Sequence, residues 1–219
     1  VAEFDIVPCP PIQNLYFVGR NYVEHAEELG NERPTEPLIF TKPLSCIATS
    51  GEGIPYPSHS HALHYEGEMV FVLPEHGHFS GKNPKILAGC GIDFTARDIQ
   101  AGLKKKGWPW FAAKCFRGSA VVSSEFTSIP VEFLPHLSIE TWINGEKRQH
   151  GRYTDKIFSV PVLAGSLEKL VNIGTHDVLF TGTPAGVGKV VPGDKIEVRL
   201  LIENRVLMQT TCEVMNGHS

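Results

Sequence analysis

Hydrophobic positions in this chain fall into short runs separated by Gly, Pro, Asn and Asp, a pattern that predicts many strands and few helices. Residues 14–18 form the first apolar run and end at Gly19, as a short buried strand does. Over residues 20–30, Asn21 suits an N-cap, Glu24 stands where a reciprocal capping partner belongs, and Gly30 suits a left-handed stop, so a two-turn helix is expected. A helix that short needs docking to persist, which makes it a candidate lid. Residues 40–43 read as a strand end, residues 51–60 as a Pro/Gly-rich loop, residues 63–73 as one long strand and residues 87–94 as another. Thr95 is placed to cap a helix with Asp98 at its third position; Ile99 and Leu103 share a face, and Gly107 stops it. Residues 137–143 followed by Asn144-Gly145 signal a hairpin, since both turn residues tolerate positive φ. Ser159 and Pro161 open a helix whose apolar face is predicted to carry Leu163, Leu167, Leu170 and Val171, and strands are expected around Val178, Ile196 and Val206. With no repeat, charge block or linker, residues 1–219 read as one domain of β-rich α+β class.

Composition narrows the function classes. Apolar residues at 42% and charged residues at 20% exclude a disordered chain, and 21 glycines with 16 prolines favour a turn-rich, strand-rich fold. Twenty Lys and Arg against 24 Asp and Glu leave a net charge of −4, the wrong balance for a nucleic-acid partner. No apolar run is long enough for a membrane span, and residues 1–11 lack the basic-then-apolar pattern of a secretory signal. The five cysteines are widely spaced and odd in number, which predicts free thiols in a reducing compartment, the cytoplasm by default.

The most informative chemistry is Glu66-Gly-Glu68. On a strand, residues two apart share a face roughly 7 Å apart, here the face that also carries Val70 and Val72. Two carboxylates on a buried face are costly unless one holds a proton or a cation lies between them; the plainer reading is an edge strand with both glutamates in water. Asp93, where a strand gives way to the next helix, offers a third acid or a simple helix-start residue. Three carboxylates without thiolates suit Mg²⁺, Mn²⁺ or Ca²⁺ better than zinc. His25 and Glu28, three apart on the expected helix, form a possible water-activating pair or an ordinary exposed pair. Lys114, a lone cation among apolar residues, either stabilises an oxyanion or runs its stem along the core with its head in water. Lys104-Lys105-Lys106 reads as a solvated helix end. Residues 182–189 imitate a phosphate loop but carry one residue too many between the glycines, a Pro at 184, and Val190 where Ser or Thr is required. His59, His61 and His64 lack the Asp that a metallo-hydrolase version needs.

Taken together, Val18-Gly-Arg-Asn-Tyr22 with His25 and Glu28, Phe40-Thr-Lys-Pro43, Tyr65-Glu-Gly-Glu68, Asp93-Phe-Thr-Ala-Arg-Asp98, Lys114 and the stretch from Leu179 to Gly188 resemble the fumarylacetoacetate hydrolase family, in order and over most of the chain. The likeness is to its short single-domain branch of acylpyruvases and fumarylpyruvate hydrolases. The resemblance implies a mixed β-sandwich roll with a few short helices, a homodimer, a divalent metal on Glu66, Glu68 and Asp93, and a His25–Glu28 dyad on a segment that orders when ligand binds. It further implies Lys114 as the electrophilic lysine, ligand contacts from Gln100 and Thr183, and motif positions Arg20 and Lys42 at the substrate site.

The expected activity is metal-dependent hydrolysis of a C–C bond in acylpyruvate-type 2,4-dioxo acids, fumarylpyruvate for example, with pyruvate as one product. In that scheme His25, backed by Glu28, takes a proton from the attacking water and Lys114 stabilises the oxyanion. The same residues serve decarboxylation of oxaloacetate or another β-keto acid, or isomerisation or tautomerisation in aromatic catabolism, without an attacking water. A catalytically silent ligand-binding scaffold is the alternative outside enzymology.

Overall fold

A computed structural model describes residues 4–23 and 33–217. Among these residues the fold is built of sheets with short helices. In the largest sheet the strands Ile6–Pro8, Glu125–Pro130, Lys85–Asp93, Gly67–Val72, Asp177–Phe180, Asn14–Gly19 and Leu38–Thr41 lie side by side; Ala120–Val122 also pairs with Lys85–Asp93 and carries Ile47–Thr49. Pairing is mixed: Asp177–Phe180 runs parallel to Asn14–Gly19 and antiparallel to Gly67–Val72. A five-stranded sheet contains Glu146–Arg152, Leu137–Ile143, Lys195–Ile202, Arg205–Met215 and Gly53–Pro55. This is the β-rich, mixed-sheet architecture expected.

The two sheets enclose the main core. Met69, Phe71, Ala88 and Cys90 from the large sheet join Ile139, Val198 and Leu200 from the other, all fully buried. Alternation sends Val70, Val72, Phe17 and Phe180 to a second apolar cluster on the opposite face. Glu68 shares the parity of Val70 and Val72, so the strand that packs the core also aims a carboxylate.

The predicted strand over residues 63–73 is two strands. Leu63–Tyr65 belongs to a small third sheet with Thr95–Ala96 and Gly188–Lys189, whereas Gly67–Val72 belongs to the large sheet. The chain changes sheets at Glu66, and the next position admits only glycine: a Cβ at Gly67 would lie 2.0 Å from Thr141 Oγ1 and 3.2 Å from Gln149 Oε1. The Gly67 N–H donates to Gln149 Oε1 at 3.0 Å.

Other expectations also changed. Thr95 lies in a strand, and the helix Arg97–Lys106 starts without a side-chain cap; Asp98 instead accepts from Ser60 Oγ and the His61 N–H. The helix Val160–Glu168 buries Leu163 and Leu167, but Leu170 and Val171 lie beyond it and are exposed. The loop at 51–60 contains the strand Gly53–Pro55. The hairpin joining Leu137–Ile143 to Glu146–Arg152 is present, with φ of 51° at Asn144 and 82° at Gly145. All five cysteines are free, and no helix among the described residues is long and apolar enough to cross a membrane.

Gly67→Ala is expected to destabilise the protein by about 1–3 kcal/mol through overpacking against Thr141, measured as a lower urea midpoint. Adding Thr141→Ala should recover part of the loss.

Candidate active site

Backbone pairing assembles the acidic residues. Glu68 stands opposite Gly91 in the antiparallel ladder, and the Asp93 N–H donates to the Glu66 carbonyl at 2.9 Å. The result is a cluster in which Glu66, Glu68 and Asp93 each offer an oxygen, all within 4.8 Å of one another and all buried. Like charges this close in a poorly hydrated place repel strongly, so each carboxylate needs a compensating cation or a proton.

Three side chains supply the cations. Lys114 Nζ, only 4% exposed as a residue, donates to Glu66 Oε2 at 2.8 Å and Asp93 Oδ2 at 2.6 Å. Its head therefore does not reach water. Burial alone lowers its pKa, but Asp93 and then Glu66 outweigh that penalty and hold it above the ordinary value. Arg97 pairs with Glu66 Oε1, which also accepts from Thr95 Oγ1 at 3.1 Å. Lys42 Nζ lies 2.6 Å from Asp93 Oδ1 and donates to the carbonyls of Phe94 at 3.0 Å and Ser119 at 2.6 Å. Burial lowers its pKa, with Asp93 opposing.

Glu68 is treated differently. Its Oε2 accepts the Gly182 N–H at 2.6 Å, and among the described residues no cation comes within ion-pair distance. Burial, then Asp93 and Glu66, push its carboxyl well above the usual range, so this is the acid most ready to hold a proton. Gly182 has φ of 86°, and a Cβ there would sit 2.9 Å from Asn21 Cβ. The false phosphate loop thus does hold an anion on a backbone amide, but the anion is the protein's own.

The donor set fits a hard divalent cation. All three ligand candidates are carboxylates, and their oxygens gather within 4.8 Å of one another inside the protein. Glu66, Glu68 and Asp93 would hold the ion. Placed there, Mg²⁺, Mn²⁺ or Ca²⁺ would supply Lewis-acid charge to the oxygens of a ligand.

A cavity opens over this cluster, lined further by Arg20, Phe40, Gln100, Lys104, Trp110 and Thr183. Thr183 Oγ1 donates to the Gly67 carbonyl at 2.9 Å and accepts from Gln149 Nε2 at 2.7 Å. Gln100 is buried, with Oε1 accepting from Arg97 Nη1 at 2.7 Å. Lys42 does not line the cavity: with two carbonyls and Asp93 around its ammonium, it braces the acid instead of facing a ligand. His25 and Glu28 lie outside the described residues. The helix that Asn21 was expected to cap falls on those same residues; among the described ones, Asn21 Nδ2 donates to the carbonyls of Phe158 and Thr181, and Oδ1 accepts the Phe158 N–H at 2.7 Å.

Residues 14–214 match the family described as fumarylacetoacetate (FAA) hydrolase, C-terminal. The chain belongs to the fumarylacetoacetate hydrolase family. It is 35% identical over 192 residues to the mitochondrial oxaloacetate tautomerase FAHD1 of Bos taurus, covering 84% of this chain and 86% of that protein. It is 34% identical over 203 residues to oxaloacetate tautomerase YcgM of Escherichia coli (strain K12), covering 86% and 88%. The crystal structure of fumarylpyruvate hydrolase from Pseudomonas aeruginosa in complex with Mn²⁺ and pyruvate superposes with a TM-score of 0.80 at 28% identity, over 94% of this chain and 91% of that one. The family's members are enzymes, and these names divide between tautomerase and hydrolase.

Several parts of the site escape sequence reasoning. Arg97 stood in a quoted family motif without a role and Lys104 was read as part of a solvated helix end, although with Gln100 they fall at i, i+3 and i+7, which is one helix face. Lys156 gave no signal at all. Its ammonium donates to the Tyr22 hydroxyl at 2.7 Å, and desolvation pushes its pKa down to about 7, with Glu68 and Asp155 opposing.

Two predictions follow from these charges. Glu68→Gln is expected to raise the thermal stability of metal-free protein, by removing a buried like charge, while weakening Mg²⁺ binding more than about tenfold by calorimetry; unchanged affinity would count against Glu68 as a ligand. Lys156 has a folded pKa of about 7 against an ordinary 10.5. Its charge therefore opposes folding fully below 7, and the penalty fades as pH rises toward 10.5. Lys156→Met should raise Tm most near pH ~6 and least near pH ~10. An equal gain at both would contradict the shifted lysine.

Proposed function

We propose that this chain is a divalent-metal-dependent enzyme that handles a 2-keto acid through its enolate, and that its reaction is keto–enol tautomerisation of oxaloacetate. The observation that carries the reading is the buried Lys114 ammonium spanning Glu66 and Asp93, at 2.8 and 2.6 Å, beside an all-oxygen site. A cation fixed there in advance meets negative charge developing on a carbonyl oxygen without reorganisation. Because its pKa is raised, Lys114 keeps its proton and acts as donor and charge, not as base.

Tautomerisation takes a proton from the carbon beside the carbonyl and delivers one to the oxygen, with no net change in composition. His25 backed by Glu28 is the proposed base, a role resting on sequence and on the family resemblance. Gly182 and Thr183 hold the strand edge beneath: the amide of one binds Glu68, and the hydroxyl of the other binds the Gly67 carbonyl. The choice of tautomerisation over C–C hydrolysis is supported by the tautomerases at 34–35% identity.

Hydrolysis of acylpyruvates stands as the second reading, favoured by the fumarylpyruvate hydrolase structure and by a His–Glu pair suited to activating water. Two assays separate them: decay of enol-oxaloacetate absorbance, and pyruvate release from acetylpyruvate and fumarylpyruvate. Tautomerase turnover is expected to dominate, to fall about 10²–10³-fold in Lys114→Met, and to fall steeply in His25→Ala. Pyruvate release outpacing enol decay would overturn the first reading in favour of the second, and inertness toward every keto acid would remove both.

A further inference from the structure

Gln149 is 1% exposed and comes from the five-stranded sheet, which carries none of the three acids. Its side chain joins the two segments that shape the acid site. Oε1 accepts the N–H of Gly67, the residue between Glu66 and Glu68, at 3.0 Å. Nε2 donates to Thr183 Oγ1 at 2.7 Å and to the Pro184 carbonyl at 2.9 Å. Thr183 Oγ1 in turn donates to the Gly67 carbonyl at 2.9 Å, which closes a ring. We propose that Gln149 is a positioning residue: by closing this ring of hydrogen bonds between Gly67 and Thr183, it holds Glu68 where a divalent ion needs it. The proposal rests on the metal site of the reading above and adds to it a residue that does not line the cavity.

The direction of every bond in the ring is forced. The Gly67 amide can only donate and the Pro184 carbonyl can only accept, which fixes the Gln149 amide with its oxygen toward one and its nitrogen toward the other. Thr183 must then accept from Nε2, and its single proton goes to the Gly67 carbonyl. Glu68 is held from both sides of this ring. Gly67 precedes it in the chain, and Gly182, whose N–H reaches Glu68 Oε2 at 2.6 Å, precedes Thr183. Shifting either corner moves the carboxylate or the amide that steadies it.

A β-bulge aims this side chain. Along Glu146–Arg152, Gln149 pairs with Thr141 and Lys147 with Trp142, so Arg148 is the extra residue between them. On a regular strand Lys147 and Gln149, two apart, share a face. Here Lys147 is exposed, its ammonium 5.7 Å from the Trp142 ring centroid, whereas Gln149 is buried. The extra residue reverses the face, as bulges beside functional sites do. The backbones are also drawn close: a Cβ on Gly186 would sit 2.2 Å from the Arg148 carbonyl oxygen, and one on Gly151 2.7 Å from Pro184 Cβ. Packing alone would be served by an apolar side chain at 149. A fully bonded amide instead fixes the separation and direction of the groups it joins.

The test is Mn²⁺ binding to the full chain by calorimetry, with the urea midpoint of each variant measured alongside. Gln149→Met keeps the length and removes every bond of the amide; its Kd for Mn²⁺ is expected to rise by about tenfold, the usual scale for a partner behind a metal ligand. Gln149→Asn, one methylene too short to reach both segments, is the milder variant and should weaken binding even if Gln149→Met does not fold. Thr183→Val breaks the same ring at another corner, so the double variant with Gln149→Met should lose little beyond the larger single change. Ser123→Ala removes buried hydrogen bonds to Cys90 and Thr210 outside the ring, and should lower the urea midpoint without moving Kd. Wild-type affinity in a folded Gln149 variant, additive losses in the double variant, or equal weakening by Ser123→Ala would each overturn the positioning role and leave the metal site standing. Absence of Mn²⁺ binding in wild type would remove the metal site and this role with it.

Discussion

Three buried carboxylates within one ion's reach cannot be left alone, and much of the local structure answers that constraint. Lys114 is buried because two acids hold it. Lys42 is carried into the interior to a place with two carbonyls and Asp93, and Arg97 opens its helix against Glu66. The burden is plainest at Glu68, whose compensation among the described residues is one amide and no cation, and whose carboxyl pKa is raised by burial and then by Asp93 and Glu66. A divalent cation held by these three carboxylates would relieve their mutual repulsion.

The fold holds this cluster with backbone, not with loops. Glu66 and Asp93 are joined by a main-chain hydrogen bond, Glu68 lies in register on the adjoining strand, and the turn after Asp177–Phe180 delivers an amide from the other side. The aromatic and cationic residues of the cavity come instead from a turn, a helix and a strand edge. Charge stabilisation and ligand choice thus sit on different kinds of structure.

Much of the architecture was legible beforehand. Alternation found the strands at 14–18 and 87–94, and Asn144-Gly145 marked its hairpin, because both signals are local. The break at Glu66 was not legible: it is a change of pairing partners, from Thr95–Ala96 and Gly188–Lys189 to Lys85–Asp93 and Asp177–Phe180, that alternation along one strand does not encode. Thr95 misled for a related reason: it has the chemistry of a cap, but a long-range partner, a buried carboxylate, claimed the side chain first. Glu66-Gly-Glu68 was visible as a pair, whereas the partners that make it tolerable, Arg97 among them, became apparent only in three dimensions.

Glu66 sits where the chain crosses from the small sheet into the large one, with its own carbonyl bonded to Asp93. The acid trap is nonetheless built on a single ladder: the antiparallel pairing of Gly67–Val72 with Lys85–Asp93, extended one step to Glu66, brings all three carboxylates together. Cation uptake should therefore follow the integrity of this one pair of strands, and a slip of a single residue in their register would turn Glu68 to the opposite face and dismantle the trap.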